Sequence, residues 1–140
     1  MIDHRTAPYA AFVLRVSLGV MFIAHALLKV FVFTPAGTAK FFESIGLPGP
    51  LAYAVLVAEL VGGALILLGV GTRQVALALI PVLLGATWAH AGNGWLFTAP
   101  NGGWKYPAFL TAATLVQALL GDGAYTVREF FGQPRRVATA

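Results

Sequence analysis

The stretch Tyr9-Ala-Ala-Phe-Val-Leu-Arg15-Val-Ser-Leu-Gly-Val-Met-Phe-Ile-Ala-His25-Ala-Leu-Leu-Lys29-Val-Phe-Val-Phe33 decides the fold. A helix of this length, at about 1.5 Å per residue, crosses a hydrocarbon core of about 30 Å with some tilt. Yet the run carries three ionisable side chains, Arg15, His25 and Lys29. A charge near the middle of such a helix costs on the order of 2.5 to 3.5 kcal/mol, so each needs a partner, a polar cavity or a route to the headgroups. His25 and Lys29 are four residues apart, and Arg15 lies close to four turns from Lys29. All three therefore share one stripe, which should face protein and not lipid.

The composition agrees with a bilayer as solvent. Of 140 residues, 59% are hydrophobic and only 10% charged, and the mean hydropathy is +0.81, far from a soluble domain. There is no cysteine, which excludes disulfides, thiol chemistry and cysteine-ligated clusters within this polypeptide. If the chain works in redox chemistry, the redox centre lies in another molecule. The net charge of +4 resides mainly in arginines at helix ends and in the C-terminal segment, a pattern that sets membrane orientation and gives no sign of nucleic-acid binding. Arg5 precedes the first apolar run, but that run is too long for a signal-peptide core and lacks a small-residue cleavage site after it, so it is expected to stay uncleaved.

The remaining pattern predicts an all-α, integral membrane four-helix bundle forming a single domain over 1–140, with spans at about 9–33, 51–70, 74–91 and 105–120. Pro8 suits the first turn of the first helix. Between Thr34 and Pro50 the prolines and glycines break the pattern, leaving Thr38 to Ile45 as a short interfacial helix in the first outer loop, with Phe41, Phe42 and Ile45 on one face as a lid. The second span holds one charge, Glu59, on the face of Gly62, Gly63 and Ile66, where small residues admit a neighbouring helix. The third contains Pro81 and nearly ends at His90, which shares a face with Leu83, Ala86 and Thr87. Trp88, Trp95, Phe97, Trp104 and Tyr106 read as an interfacial aromatic belt. The fourth span places Thr114, Gln117 and Gly121 on one face and stops at Asp122, before a polar cytoplasmic tail, 121–140, that opens with a short interfacial helix. Arg5, Arg73, Arg128, Arg135 and Arg136 against Lys40 and Lys105 put both termini on the cytoplasmic side.

Counting rise from the helix ends puts His25 about 12 Å and Glu59 about 13 Å below the outer surface. Lys29 is one turn higher, and His90 higher again. Together they form a candidate ligand-binding or proton-relay pocket in the outer half, under the loops bearing Phe41, Phe42, Trp95 and Trp104. Other readings of the same residues stand beside this one. Glu59 with Lys29 or His25 can be a buried ion pair that fixes register, His90 can simply bond a loop carbonyl, and the tryptophans can be membrane anchors. Arg15 is read as structural, meeting Asp122 or Gln117 at similar depth or snorkelling to the headgroups. Bis-histidine haem ligation by His25 and His90 is disfavoured by a depth difference of about 10 Å, and no metal site is expected. Quinone or proton-relay chemistry fits better, because titratable groups in a dry bundle have shifted proton affinities.

Several pieces together resemble the DoxX family of small bacterial membrane proteins. These are the first helix with Arg15, Gly19, His25 and Lys29; the run Ala58-Glu59-Leu60-Val61-Gly62-Gly63 closing on Gly69, Thr72 and Arg73; and the third helix ending at His90. The loop pieces Thr34-Pro35-Ala36-Gly37 and Phe41-Phe42-Glu43-Ser44-Ile45-Gly46-Leu47-Pro48 and the end Leu119-Leu120-Gly121-Asp122-Gly123 are similar too. The resemblance runs from about Leu14 to Asp122 and rests on the combination, no single motif being specific. It implies a multi-pass bundle in the bacterial cytoplasmic (inner) membrane, in a family that includes membrane subunits of thiosulfate:quinone oxidoreductase and members linked to oxidative or thiol stress. It implies that Arg15, Lys29 and Glu59 are the family's buried charges and His90 its usual histidine late in the third helix. The pocket would then hold a quinone or a small sulfur compound.

The expected function is thus a membrane subunit of a redox system, part of a quinone-linked oxidoreductase, with no covalently bound cofactor and a quinone as ligand. Its expected partners are the lipid bilayer and a soluble or membrane redox protein, with a second copy of the chain as a further candidate. The alternative is a non-catalytic scaffold or assembly subunit whose buried charges serve only the bundle. A small transporter is disfavoured by the lack of an inverted repeat.

Overall fold

The computed structural model describes residues 3–132, so the orientation signal from Arg135 and Arg136 and the end of the expected tail lie outside the described residues. The described part is all-helical, without a strand. Helix α1 (Ala7–Phe31) has Pro8 in its first turn, where a missing amide donor costs nothing. Helix α2 (Pro35–Ser44) starts three residues before the Thr38 expected from the apolar pattern. The reason is local: Thr34 accepts from the Gly37 amide at 3.1 Å, and Pro35, with its fixed φ, opens the helix after that cap.

Helix α3 (Leu51–Leu68) ends on Gly69 at φ 70°, and its last carbonyls, Leu65 and Ile66, are taken by the Val70 and Gly69 amides. Helix α4 (Thr72–His90) contains Pro81 and runs into a single 3-10 turn at Ala91–Asn93. Helix α5 (Lys105–Leu120) and the one-turn helix α6 (Val127–Phe130), opened by a Thr126–Glu129 capping box, complete the chain. Three segments, Ala7–Phe31, Leu51–Leu68 and Thr72–Asn93, are long and apolar enough to cross a membrane. Helix α5, at 16 residues, is shorter.

Helix α1 packs along α3 and α4 along α5, and the two pairs meet through α3 with α4 and α1 with α5. Leu18, Phe22, Ile66, Leu79, Leu83 and Leu110 form the core between them. Outward-facing side chains such as Val13, Val57, Leu84, Phe109 and Leu119 are exposed, an apolar exterior suited to lipid. The α1–α3 contact runs backbone to backbone. A Cβ at Gly19 would lie 2.9 Å from the Gly63 carbonyl oxygen and 2.8 Å from the Leu67 Cβ, and one at Gly63 would lie 2.9 Å from the Phe22 Cβ. The glycine face expected on the second span thus has its counterpart in Gly19.

The connection after α5 is not a free tail. The Ala124 amide donates to the Pro8 carbonyl at 3.0 Å, and Gly123, at φ +71°, sits where a Cβ would be 2.8 Å from that of Ala11. Asp122 accepts from the Thr72 amide at 2.9 Å, capping α4 from across the chain, while Arg73 donates to the Ala118 and Leu119 carbonyls at the end of α5. Each charge lies at the helix end whose dipole it complements. A polar composition concealed this docking, because the bonds are made largely by backbone.

Gly19→Ala is expected to lower stability by about 1–3 kcal/mol through overpacking. By contrast, Gly85→Ala, where a Cβ meets nothing within 4 Å, should raise it slightly, by up to about 1 kcal/mol, through helix propensity. Thermal unfolding of both variants in detergent checks the opposite signs.

Candidate functional site

Two polar centres occupy opposite ends of α1. At the N-terminal end Arg15 is only 1% exposed. Its Nη2 donates to the carbonyls of Ala124 at 3.2 Å and Tyr125 at 3.0 Å, and the guanidinium lies 5.3 Å from the centre of the Phe12 ring. Asp122 and Gln117, the partners expected from depth, have other bonds: Asp122 caps α4 and Gln117 donates to the Gly121 carbonyl at 2.7 Å. Arg15 binds the chain just beyond Asp122 because left-handed glycines at 121 and 123 turn that segment back over α1. Gly69 completes the pocket, since a Cβ there would collide with the Arg15 Nη1.

At the other end, the structure brings His25, Lys29, Glu59 and His90 to the lining of one cavity of about 990 Å³. Lys29 donates to Glu59 Oε2 in an ion pair between α1 and α3, with the two side chains 19% and 7% exposed. From α2, Phe41, Phe42 and Ile45 contribute to the wall, as do Phe22, Leu51, Pro81, Leu83 and Leu110. Most of the surface is apolar, with a few polar groups among it, the usual character of a small-molecule site.

Each imidazole has one nitrogen assigned by its neighbour. The Nδ1 of His25 is 2.8 Å from the Met21 carbonyl, an atom that only accepts, so in the neutral ring Nδ1 carries the proton and Nε2 is left as an acceptor. His90 has the opposite assignment. Its Nδ1 faces the Asn93 amide nitrogen at 3.3 Å, and that nitrogen is held as a donor by the carbonyls of Asn101 at 3.2 Å and Gly102 at 2.9 Å. The amide has two N–H bonds for these three acceptors, so His90 Nδ1 accepts only by sharing one of them, and in that tautomer the ring carries its proton on Nε2. The pair offers one acceptor and one donor nitrogen.

Two tryptophans expected above this region do not line it. Trp95 and Trp104 pack edge to face at 4.7 Å, with the Lys105 ammonium 5.5 Å from the Trp95 ring centre. Their loop instead supplies Phe97, Asn101, Gly102 and Gly103 to the wall, because the rings satisfy each other and the cation outside it. Tyr106, read from sequence as one more belt aromatic, lines the cavity and lies parallel to the His25 ring, at 5.6 Å and 15°. Only its position one helical turn before Leu110, on the buried face of α5, hints at this in the sequence.

The family model for DoxX matches residues 10–92, from within α1 into the 3-10 turn. The chain belongs to the DoxX family. The matched stretch includes His25, His90, Lys29 and Glu59, whereas Tyr106 follows it. The chain is 42% identical over 73 residues to a Bacillus subtilis (strain 168) protein named "Putative oxidoreductase CatD", a match covering 52% of this chain and 53% of that relative. It thus spans about half the length of the curated relative it matches. No solved structure matches the chain.

Glu59→Gln, which leaves the Lys29 ammonium without its counter-charge, should cost about 3 kcal/mol, the low end for a broken buried pair because Lys29 keeps some exposure. Adding Lys29→Met to the same protein should recover much of that loss. Unfolding of the parent, single and double variants in detergent reads both steps.

Proposed function

We propose that this DoxX-family membrane protein is the membrane subunit of a redox system, and that it binds a quinone-like molecule in the cavity shared by His25, Lys29, Glu59 and His90. In this reading α5 is a fourth crossing of the cytoplasmic membrane. Both termini then face the cytoplasm, as the basic residues Arg5, Arg73 and Arg128 favour over Lys40 and Lys105. The observation that carries the proposal is the make-up of the cavity: a largely apolar space of about 990 Å³ with an acceptor imidazole, a donor imidazole and an ion pair on its wall. A quinone needs those features, a flat apolar ring and tail in apolar surroundings with polar groups at its oxygens. The oxidoreductase name of the relative supports redox work. In this reading the electrons come from a partner protein, and the ionisable side chains here serve ligand orientation and proton movement.

A scaffold reading has one observation in its favour: Lys29 and Glu59 already satisfy each other, as a pair that only fixes register would. Thermal unfolding with decylubiquinone and with a short-chain menaquinone separates the two. A ligand that binds the folded protein alone stabilises it by about 2.7 kcal/mol at one hundred times Kd. The parent should gain such a shift and His90→Ala should lose most of it. Absence of any shift in the parent, with partner capture intact, favours the scaffold.

A further inference from the structure

The cavity wall changes character between its interior and the protein surface. Its ionisable side chains are withdrawn: those of Lys29 and Glu59 are 19% and 7% exposed, and His25 and His90 are half-buried. Elsewhere the same wall reaches the surface, and there it is apolar. Phe33 just beyond α1, Phe41 on α2 and Phe97 in the loop before α5 all line the cavity, and they are 60%, 42% and 69% exposed. Among the described residues that both line the cavity and are exposed, Asn101 alone has a polar side chain. Lys40 and Glu43, the charged residues of α2, are exposed as well but take no part in the wall.

A polar interior behind an apolar mouth discriminates between ligands by the medium they come from. A small hydrophilic anion would shed its hydration against phenylalanine and leucine, with almost no polar group there to replace it, and that step is costly. A molecule already dissolved in hydrocarbon meets no such step. We infer that the ligand enters from the bilayer and is an alkyl- or prenyl-tailed quinone, its ring among the polar groups and its tail leaving where Phe33, Phe41 and Phe97 bring the wall to the surface. This rests on the quinone reading of the cavity and adds to it the tail, the route and the residues that border both. It sets aside a small sulfur compound as the occupant. The tail contributes little attraction of its own, because it passes between two apolar surroundings. The mouth acts instead by letting the tail stay in lipid while the ring turns inward.

Photolabelling of the parent protein in lipid nanodiscs tests this with two decyl-tailed ubiquinone probes, one photoreactive on the ring and one midway along the tail. Labelled peptides are mapped by mass spectrometry with and without excess decylubiquinone. The ring probe should mark cavity residues and lose most of that label to the competitor. The tail probe should mark the peptide holding Phe33 and Phe41, or the one holding Phe97, and lose most of that label too, while any label on exterior side chains such as Val57 and Leu119 stays unchanged. Competed tail label found only at other places on the wall, such as Pro81 and Gly85, overturns the inference and leaves the quinone reading standing. So does a competed ring label without any competed tail label, or displacement of the ring probe by thiosulfate. Absence of competed label from both probes removes the quinone reading and this inference together.

Discussion

The backbone contact between α1 and α3 at Gly19 and Gly63 fixes where the other groups of this protein can lie. With no Cβ on either residue, the two helices approach until Gly19 touches the Gly63 carbonyl and Leu67, and Gly63 touches Phe22 and Ile23. Dispersion between closely packed backbones is the main attraction available to helices in lipid, where apolar side chains gain little by leaving the solvent. That contact also sets an antiparallel register. Arg15 falls level with Gly69, Gly19 with Gly63 and Leu67, and Lys29 with Glu59. One register places a guanidinium under a helix-ending glycine at one end and an ammonium against a carboxylate at the other.

The two ends resolve buried charge differently, and the difference follows from what each can reach. Arg15 uses main-chain carbonyls of Ala124 and Tyr125, which carry partial charge and have no titration of their own. Around it, Asp122 and Arg73 cap the start of α4 and the end of α5, and the segment from Gly121 to Thr126 closes over α1. That end is sealed by the chain itself. At the other end α2 and the loop before α5 wall a cavity without filling it, and the polar groups there include two imidazoles and a phenol that the Lys29–Glu59 pair does not require.

The parts of this arrangement legible in the sequence were those with a periodic or compositional signature. Apolar length located α1, α3 and α4 within a few residues of their ends. Counting helical rise placed His25 and Glu59 at one depth, and both line the cavity. What escaped depended on local bonds or on single contacts. Thr34 started α2 early through one side-chain cap. The run Gly121-Asp-Gly-Ala-Tyr125 looked like a polar tail because its docking uses backbone amides and carbonyls, which every sequence possesses. Tyr106 reads as a belt aromatic like the tryptophans because an aromatic near a helix end looks the same in sequence whether it meets headgroups or turns inward. The tryptophans themselves looked able to cover a ligand, but composition cannot reveal that Trp95 and Trp104 take each other and Lys105 as partners.

The Lys29–Glu59 pair by itself decides little, since a buried ion pair is compatible with a purely structural chain. Its surroundings carry more weight. A bundle shaped only for stability gains by filling interior space with larger apolar side chains, because unfilled volume forfeits packing energy, and it gains by replacing a phenol that bonds nothing with phenylalanine. Here the wall keeps small or slender residues at Gly85, Ala86 and Ala89 on α4 and at Gly102 and Gly103 beyond it. It keeps the phenol of Tyr106 as well, and the Nδ1 of His90 lies 3.3 Å from the Asn93 amide nitrogen. Those choices work against maximal packing and toward a defined set of donors and acceptors. The register set by Gly19 and Gly63 holds Lys29 level with Glu59, while α4 and α5 bring His90 and Tyr106 to the same cavity.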